Sequence, residues 1–210
     1  MRAGTYHLQA QGYQAFYPAP LPPDPPVRLD GPIMALLSRA DQEVGRLDGT
    51  TAILPNADLF VAMYIRREAV LSSQIEGTQS SLDDVLTFEL DPAAGRLPDD
   101  VEEVFNYVRA MNYGLDRLAS LPLSLRLLRE IHGTLMSGAR GGDKGPGEFR
   151  RIQNYIGSAG APIAAATFVP PPPNVMQSAL SDFEGFLHSP HGLPALIECG
   201  LAHAQFETIH

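Results

Sequence analysis

A mainly α-helical fold interrupted by a single β-hairpin is what this sequence predicts, and three observations predict it. Apolar residues recur at helical spacing through most of residues 33–135 and again from 175 onward. The 19 prolines and 19 glycines gather in clusters that punctuate the chain instead of scattering through it. One segment, from Gly147 to the proline run at Pro170, breaks the helical period with two short strand-like runs. With 210 residues, 44% of them hydrophobic, the chain is long enough to bury one sizeable core.

Each element follows from local chemistry. Residues 1–32 form a proline-rich arm, in which "YPAPLPPDPPVRLDGP" (Tyr17 to Pro32) cannot be helix or central strand because proline lacks the N–H and fixes φ. A flexible linker would be built of glycine and serine, so the arm reads as a semi-rigid spacer. Ile33, Leu36, Leu37 and Ala40 set a first helix, expected to end near Gly45. A second runs from the cap Asn56 through Leu59, Phe60, Met63, Tyr64, Val70 and Leu71 to Ile75, with Gly77 at its stop. Ser81 and Asp84 have capping-box spacing at the head of a short third helix. Val101, Val104, Phe105, Val108, Met111, Leu115 and Leu118 give the strongest stripe and a fourth helix from about Pro98 to Ala119. Leu125, Leu128, Ile131 and Leu135 mark a fifth, ended by glycines from Gly138.

In "GEFRRIQNYIGSAGAPIAAATFVPPPP" the runs Ile152–Ile156 and Ala166–Val169 read as a β-hairpin flap, with Pro170 to Pro173 ending its second strand. Val175, Met176, Leu180, Phe183 and Leu187 place a helix after it. The last helix, from Pro194, is apolar nearly all round, which predicts burial on most sides.

Composition excludes several function classes. A formal net charge of −9 works against non-specific affinity for a polyanion, so nucleic acid is disfavoured as a partner of this region. "MRAGTYHLQAQGYQAF" has no continuous apolar signal region and no window approaches a membrane span, so the expected compartment is the cytoplasm and no membrane is engaged. Cys199 is the only cysteine, which excludes an intrachain disulfide and a thiolate metal cluster.

Two sites carry unusual polar residues. In "EAVLSSQIEGT" (Glu68 to Thr78), Ser72 and Glu76 stand one turn apart just before Gly77 ends the helix. A carboxylate there sits against the negative end of the macrodipole, so a partner elsewhere is expected to explain it. On the last helix His203, Glu207 and His210 fall on one stripe at i, i+4 and i+7. That stripe could ligate a metal, hold a catalytic base, or simply be a hydrogen-bonded core histidine with neighbours. The metal reading is the weakest, since three ligands from one straight helix rarely converge and the helical zinc motif HExxH is absent. Arg150 and Arg151 could steer an acidic substrate, but pairing with Glu148 or a helix carboxylate is the preferred reading. "RGGDKG" (Arg140 to Gly145) lacks GxxxxGK[ST] and reads as a mobile loop.

"SSQIEGT", "GEFRRIQNYIG", "ATFVPPPP" and "AHAQFETIH" occur in the order and spacing of Fic (fido-domain) proteins whose inhibitory helix precedes the catalytic core, and the chain resembles that family from its arm to His210. The resemblance implies a Fic-type helical bundle with a β-hairpin flap, divided into the arm (1–32), an N-terminal helical region with the inhibitory helix (33–97, helix 56–77) and a partial Fic core (98–210, flap about 150–170), without the C-terminal catalytic-loop helices. It implies protein adenylyltransferase activity: AMP passes from ATP to a Ser, Thr or Tyr hydroxyl of a protein substrate. His210 would open the family's HPFxDGNGRxxR motif as the general base, and ATP with Mg2+ is implied, the Mg2+ ligand being absent from these residues. A chain ending at the base is expected to be inactive alone, with Leu196, Leu201 and Phe206 partly exposed.

The resemblance gives Ser72, Glu76 and Gly77 an inhibitory role through the pattern (S/T)xxxE(G/N): the glutamate pairs with the last arginine of the motif and withholds it from the γ-phosphate of ATP. Ala166, Thr167, Phe168 and Val169 occupy the flap strand that pairs with target backbone in the family. The turn "IGSAGAPIAA" departs from the family's shorter, more polar one. The alternative function is a non-catalytic regulatory or peptide-binding module built on the flap and the helical scaffold. Transfer of a different phosphate-containing group and assembly as a homodimer are left open.

Overall fold

The computed structural model describes residues 3–93, 97–137 and 145–209. Its chain divides into two compact units, Met1–Gly45 with Arg150–His210, and Arg46–Phe149. The elements are β1 (Gly4–Leu8), β2 (Gln14–Pro18), α1 (Gly31–Thr51), α2 (Ala57–Ile75), α3 (Leu82–Leu90), α4 (Val101–Arg117), α5 (Leu125–Leu135), α6 (Pro173–Leu187) and α7 (Ala195–Ile209), with one 3-10 turn at Ile163–Ala165. The fold is mainly helical with a small antiparallel hairpin. None of the described helices is long and apolar enough to cross a membrane.

Unit Arg46–Phe149 is built on helices whose ends behave as their caps dictate. Asn56 accepts from the Leu59 N–H at 2.9 Å and starts α2. Ser81 and Asp84 form the full reciprocal capping box of α3. Val85, Val101, Val104 and Val108 lock against Ala69 and Val70 of α2 to make the core, with Ile65, Phe88 and Tyr107 at its margin. α4 and α5 are braced by Glu130, which accepts from the Arg117 Nε and the Tyr113 hydroxyl at 2.9 and 2.8 Å and from the Arg126 Nε at 2.9 Å.

The unit of Met1–Gly45 with Arg150–His210 centres on α6, which buries Met176, Leu180, Phe183 and Phe186. β1 and β2 pair antiparallel with Tyr6 opposite Phe16. Gly4 is required there, because a Cβ would meet the Tyr17 carbonyl oxygen at 2.2 Å. α7 packs on α6 and β2, with the Gln205 Nε2 donating to the Ala19 carbonyl at 3.0 Å.

Four sequence expectations change. The arm is not extended from its start, because residues 4–18 form the β1–β2 hairpin around Gly12, whose φ is +87°. α1 does not end near Gly45 but continues to Thr51, since an interior glycine costs only about 1 kcal/mol relative to alanine and does not break a helix. The flap is not a regular two-stranded hairpin: it contains a single bridge, Ile156 opposite Phe168, and the 3-10 turn. Side chains replace the missing ladder, with Gln153 Nε2 donating to the Pro170 carbonyl at 2.9 Å and Arg150 to that of Pro171. α7 is not buried on most sides. Its buried residues are Gln205 and Ile209, while Leu196 is 38% exposed and Leu201 and Phe206 are half-buried, because α6 and β2 cover one face only. Gly138 and most of "RGGDKG" lie outside the described residues.

Candidate functional site

The end of α2 is shaped by backbone geometry first. Gly77 takes φ +101°, the left-handed conformation that closes a helix. The Gly77 N–H then donates to the Gln74 carbonyl and the Thr78 N–H to that of Ser73, at 3.1 and 3.2 Å, which together form a Schellman end. Glu76 is the C-cap and is exposed. Among the described residues its carboxylate has no hydrogen-bond or ion-pair partner. The Ser72 hydroxyl donates to Glu68 Oε1 at 2.7 Å, so it is engaged one turn upstream and not by Glu76.

The carboxylate of Asp100, the residue before α4, clasps the loop that follows. The Ser80 hydroxyl, fully buried, donates to Asp100 Oδ1, and the Gln79 N–H donates to Asp100 Oδ2 at 2.6 Å. Gln74 of α2 reaches the Ser80 carbonyl through its Nε2 at 3.3 Å. Burial acts to raise the Asp100 carboxyl, but the hydrogen bonds from Ser80 and Gln79 outweigh it and hold the group below the usual carboxylate value. The clasp holds the loop directly after the Gly77 helix end, two residues beyond it. Asp100 was missed by the sequence because it falls in the first turn of the helix expected from about Pro98, with nothing nearby to single it out; α4 in fact begins at Val101 and Asp100 makes no side-chain cap bond.

In the other unit the flap residues are held from both sides. The Thr167 and Phe168 N–H groups both donate to the Ile156 carbonyl, at 2.7 and 3.1 Å, and the Ile156 N–H returns a bond to the Phe168 carbonyl at 2.8 Å. The Val169 carbonyl accepts from the Phe16 N–H of β2 at 2.8 Å, and Val169 is buried. Ala166 donates to Ile163 at 3.1 Å. The main-chain donors of Thr167 and Phe168 therefore serve the flap itself.

Among the described residues Arg150 pairs with no carboxylate. Its Nη1 donates to the Ile152 carbonyl at 3.4 Å, and its Nη2 to Pro171 and Ile209 at 2.5 and 3.3 Å. Burial pushes the guanidinium below its ordinary value, and its Nε has no partner among the described residues. One side chain thus ties both ends of the flap to the last described turn of α7. Glu148, the partner expected for it, binds the Arg129 guanidinium instead. His203 and Glu207 are exposed on α7, and His210 lies outside the described residues. Beside the flap a groove of about 230 Å³ is lined by Asn154, Tyr155, Ile156, Phe168, Pro170 and Glu207.

Among the described residues no three His, Cys, Asp or Glu side chains are grouped to hold a metal ion.

Residues 34–116 match the model of the Fic/DOC family N-terminal region. Through this region, which spans less than half of the chain, the protein is similar to the N-terminal part of Fic/DOC family members. The match runs from α1 to α4 and contains Ser72, Glu76, Gly77 and the Asp100 clasp, whereas the flap residues and α7 lie outside it.

Proposed function

We propose that this chain supplies the inhibitory helix, the flap and the general base of a cytoplasmic protein adenylyltransferase. The observation that carries the reading is Glu76. It is an exposed carboxylate at the negative end of α2, set on a glycine-closed helix end next to the clasped loop, inside the region that matches the Fic/DOC N-terminal model. Nothing about α2 stability calls for a carboxylate there.

In the proposed reaction the His210 imidazole takes the proton of a target Ser, Thr or Tyr hydroxyl. The freed oxygen bonds to the α-phosphorus of ATP, and the bond from that phosphorus to the pyrophosphate oxygen breaks. Histidine suits the task because its pKa lies near neutrality. Glu76 competes with the γ-phosphate for one arginine of the motif that follows the base in the family, so inhibition and productive nucleotide binding exclude each other.

The groove beside the flap favours a second reading, a non-catalytic peptide-binding module. Transfer of label from α-phosphate-labelled ATP to lysate proteins separates the two. The 210-residue chain is expected to transfer none, and the same chain continued through HPFxDGNGRxxR is expected to label proteins and to stop on His210→Ala. Absence of label from the continued chain, with Glu76 replaced by glycine as well, would leave the module reading.

A further inference from the structure

We infer that the groove beside the flap is a specificity pocket for a basic side chain, lysine or arginine, of the target polypeptide. The inference rests on the target-binding role of the flap proposed above, and names what that flap recognises.

Size limits the occupant first. At about 230 Å³ the groove is smaller than the roughly 300–1,000 Å³ of drug-sized ligand pockets, so it accepts a side chain and not a nucleotide. Its lining includes the aromatic residues Tyr155 and Phe168, with Ile156 and Pro170 adding apolar surface. The Tyr155 ring is held by its hydroxyl, which donates to the Ala161 carbonyl at 2.6 Å. The Phe168 ring rests against Phe16, with centroids 5.8 Å apart. The aromatic residues are thus fixed by contacts outside the groove.

The charge of the groove comes from one residue. Glu207 lines it, is exposed, and has no hydrogen-bond or ion-pair partner among the described residues. Of the two cations at the start of the flap, Arg150 is committed to three carbonyls, and Arg151 is exposed but does not line the groove. A long aliphatic stem ending in a cation matches a groove lined by aromatic residues and one carboxylate, through apolar contact along the stem, cation–π attraction and an ion pair at the tip. Because the flap's Thr167 and Phe168 donors are spent on Ile156, recognition falls more on such a side-chain contact than on main-chain pairing.

The test uses the 210-residue chain and fluorescein-labelled peptides of glycine and alanine around a threonine, carrying one lysine, norleucine or glutamate at each position in turn. Fluorescence anisotropy is expected to show the best lysine peptide binding roughly threefold to tenfold tighter than its norleucine counterpart, with the gap closing at high salt. Glu207→Gln should abolish the gap, and Glu207→Lys should turn the preference to glutamate. Both substitutions are on an exposed position and leave the fold intact. Equal binding of lysine and norleucine peptides, a lysine preference that survives Glu207→Gln, or no binding by any peptide would each overturn the pocket. None of these results bears on AMP transfer, which the labelled-ATP assay decides independently.

Discussion

Replacing Asp100 with alanine removes the acceptor of two hydrogen bonds that hold the loop after the inhibitory helix. One donor, the Ser80 hydroxyl, is fully buried; the other is the Gln79 N–H, at 2.6 Å. A hydrogen bond to a charged group is worth about 1.5–3 kcal/mol, and a buried hydroxyl left unpaired costs about 1–3 kcal/mol. Allowing for overlap between these terms and for water reaching the half-exposed carboxylate, Asp100→Ala should lower stability by about 2–4 kcal/mol. Asp100→Asn keeps an oxygen for Ser80 and loses the charge, so it should cost about 1–2 kcal/mol. Urea unfolding followed by far-ultraviolet circular dichroism measures both, with amide exchange at Gln79 as the local readout. Ser80→Ala made in the Asp100→Ala background should then cost almost nothing, giving a coupling of about 1–3 kcal/mol. Additive effects, with a coupling under about 0.5 kcal/mol, would mean that Asp100 does not hold Ser80.

Three further outcomes follow from the same geometry. Glu130 is held at about 2, against an ordinary 4.5, by hydrogen bonds from Arg117 first and then from Tyr113 and Arg126. A depressed carboxyl stabilises the fold above its unfolded value and loses that contribution as pH falls through the folded one. The urea midpoints of the wild type and Glu130→Gln should therefore differ near neutrality and converge between about pH 4.5 and pH 2; a constant difference would exclude the brace. Thr167→Pro deletes the N–H that bonds to Ile156 and should speed amide exchange at Ile156 and Phe168 about fivefold to tenfold, whereas Thr167→Val should not; unchanged exchange in the proline variant would show that this donor is idle. Arg150→Lys keeps the charge but loses the planar fork across three carbonyls, so it should cost roughly 1–3 kcal/mol and loosen the flap and the end of α7 together. Exchange rising in one place alone would refute the tie.

What the sequence made legible is what depends on neighbours in the chain. The caps Asn56 and Ser81, the stop at Gly77 and the stripe of α4 each act within one or two turns, and all stand where the spacing puts them. Features set by distant residues were not legible. Asp100 looked like any first-turn acid of the fourth helix, because its distinguishing partners are 20 and 21 residues away. Arg150 invites pairing with Glu148 next door, yet the guanidinium turns to carbonyls as far away as Ile209. The β1–β2 hairpin escaped notice because "TYHLQAQGYQAFYP" does not alternate cleanly: Ala15 and Phe16 are adjacent and both buried, which only a strand covered on both faces allows. α7 misled in the opposite sense, since a ring of apolar residues predicts burial only when neighbours exist to cover every face. For the candidate site, the position and form of the Glu76 helix end were readable, whereas the groove with Glu207 depends on the fold around the flap.

The central claim is that the Glu76 carboxylate restrains AMP transfer, and self-labelling of the chain continued through HPFxDGNGRxxR tests it most directly. With labelled ATP, Glu76→Gly is expected to label itself and its targets at least about tenfold faster than the unmodified sequence, since a charge-assisted pair of about 1.5–3 kcal/mol is released. His210→Ala added to Glu76→Gly should return labelling to background. Equal rates with and without the Glu76 carboxylate, in a protein whose labelling still requires His210, would contradict the account and leave α2 a helix without a regulatory role.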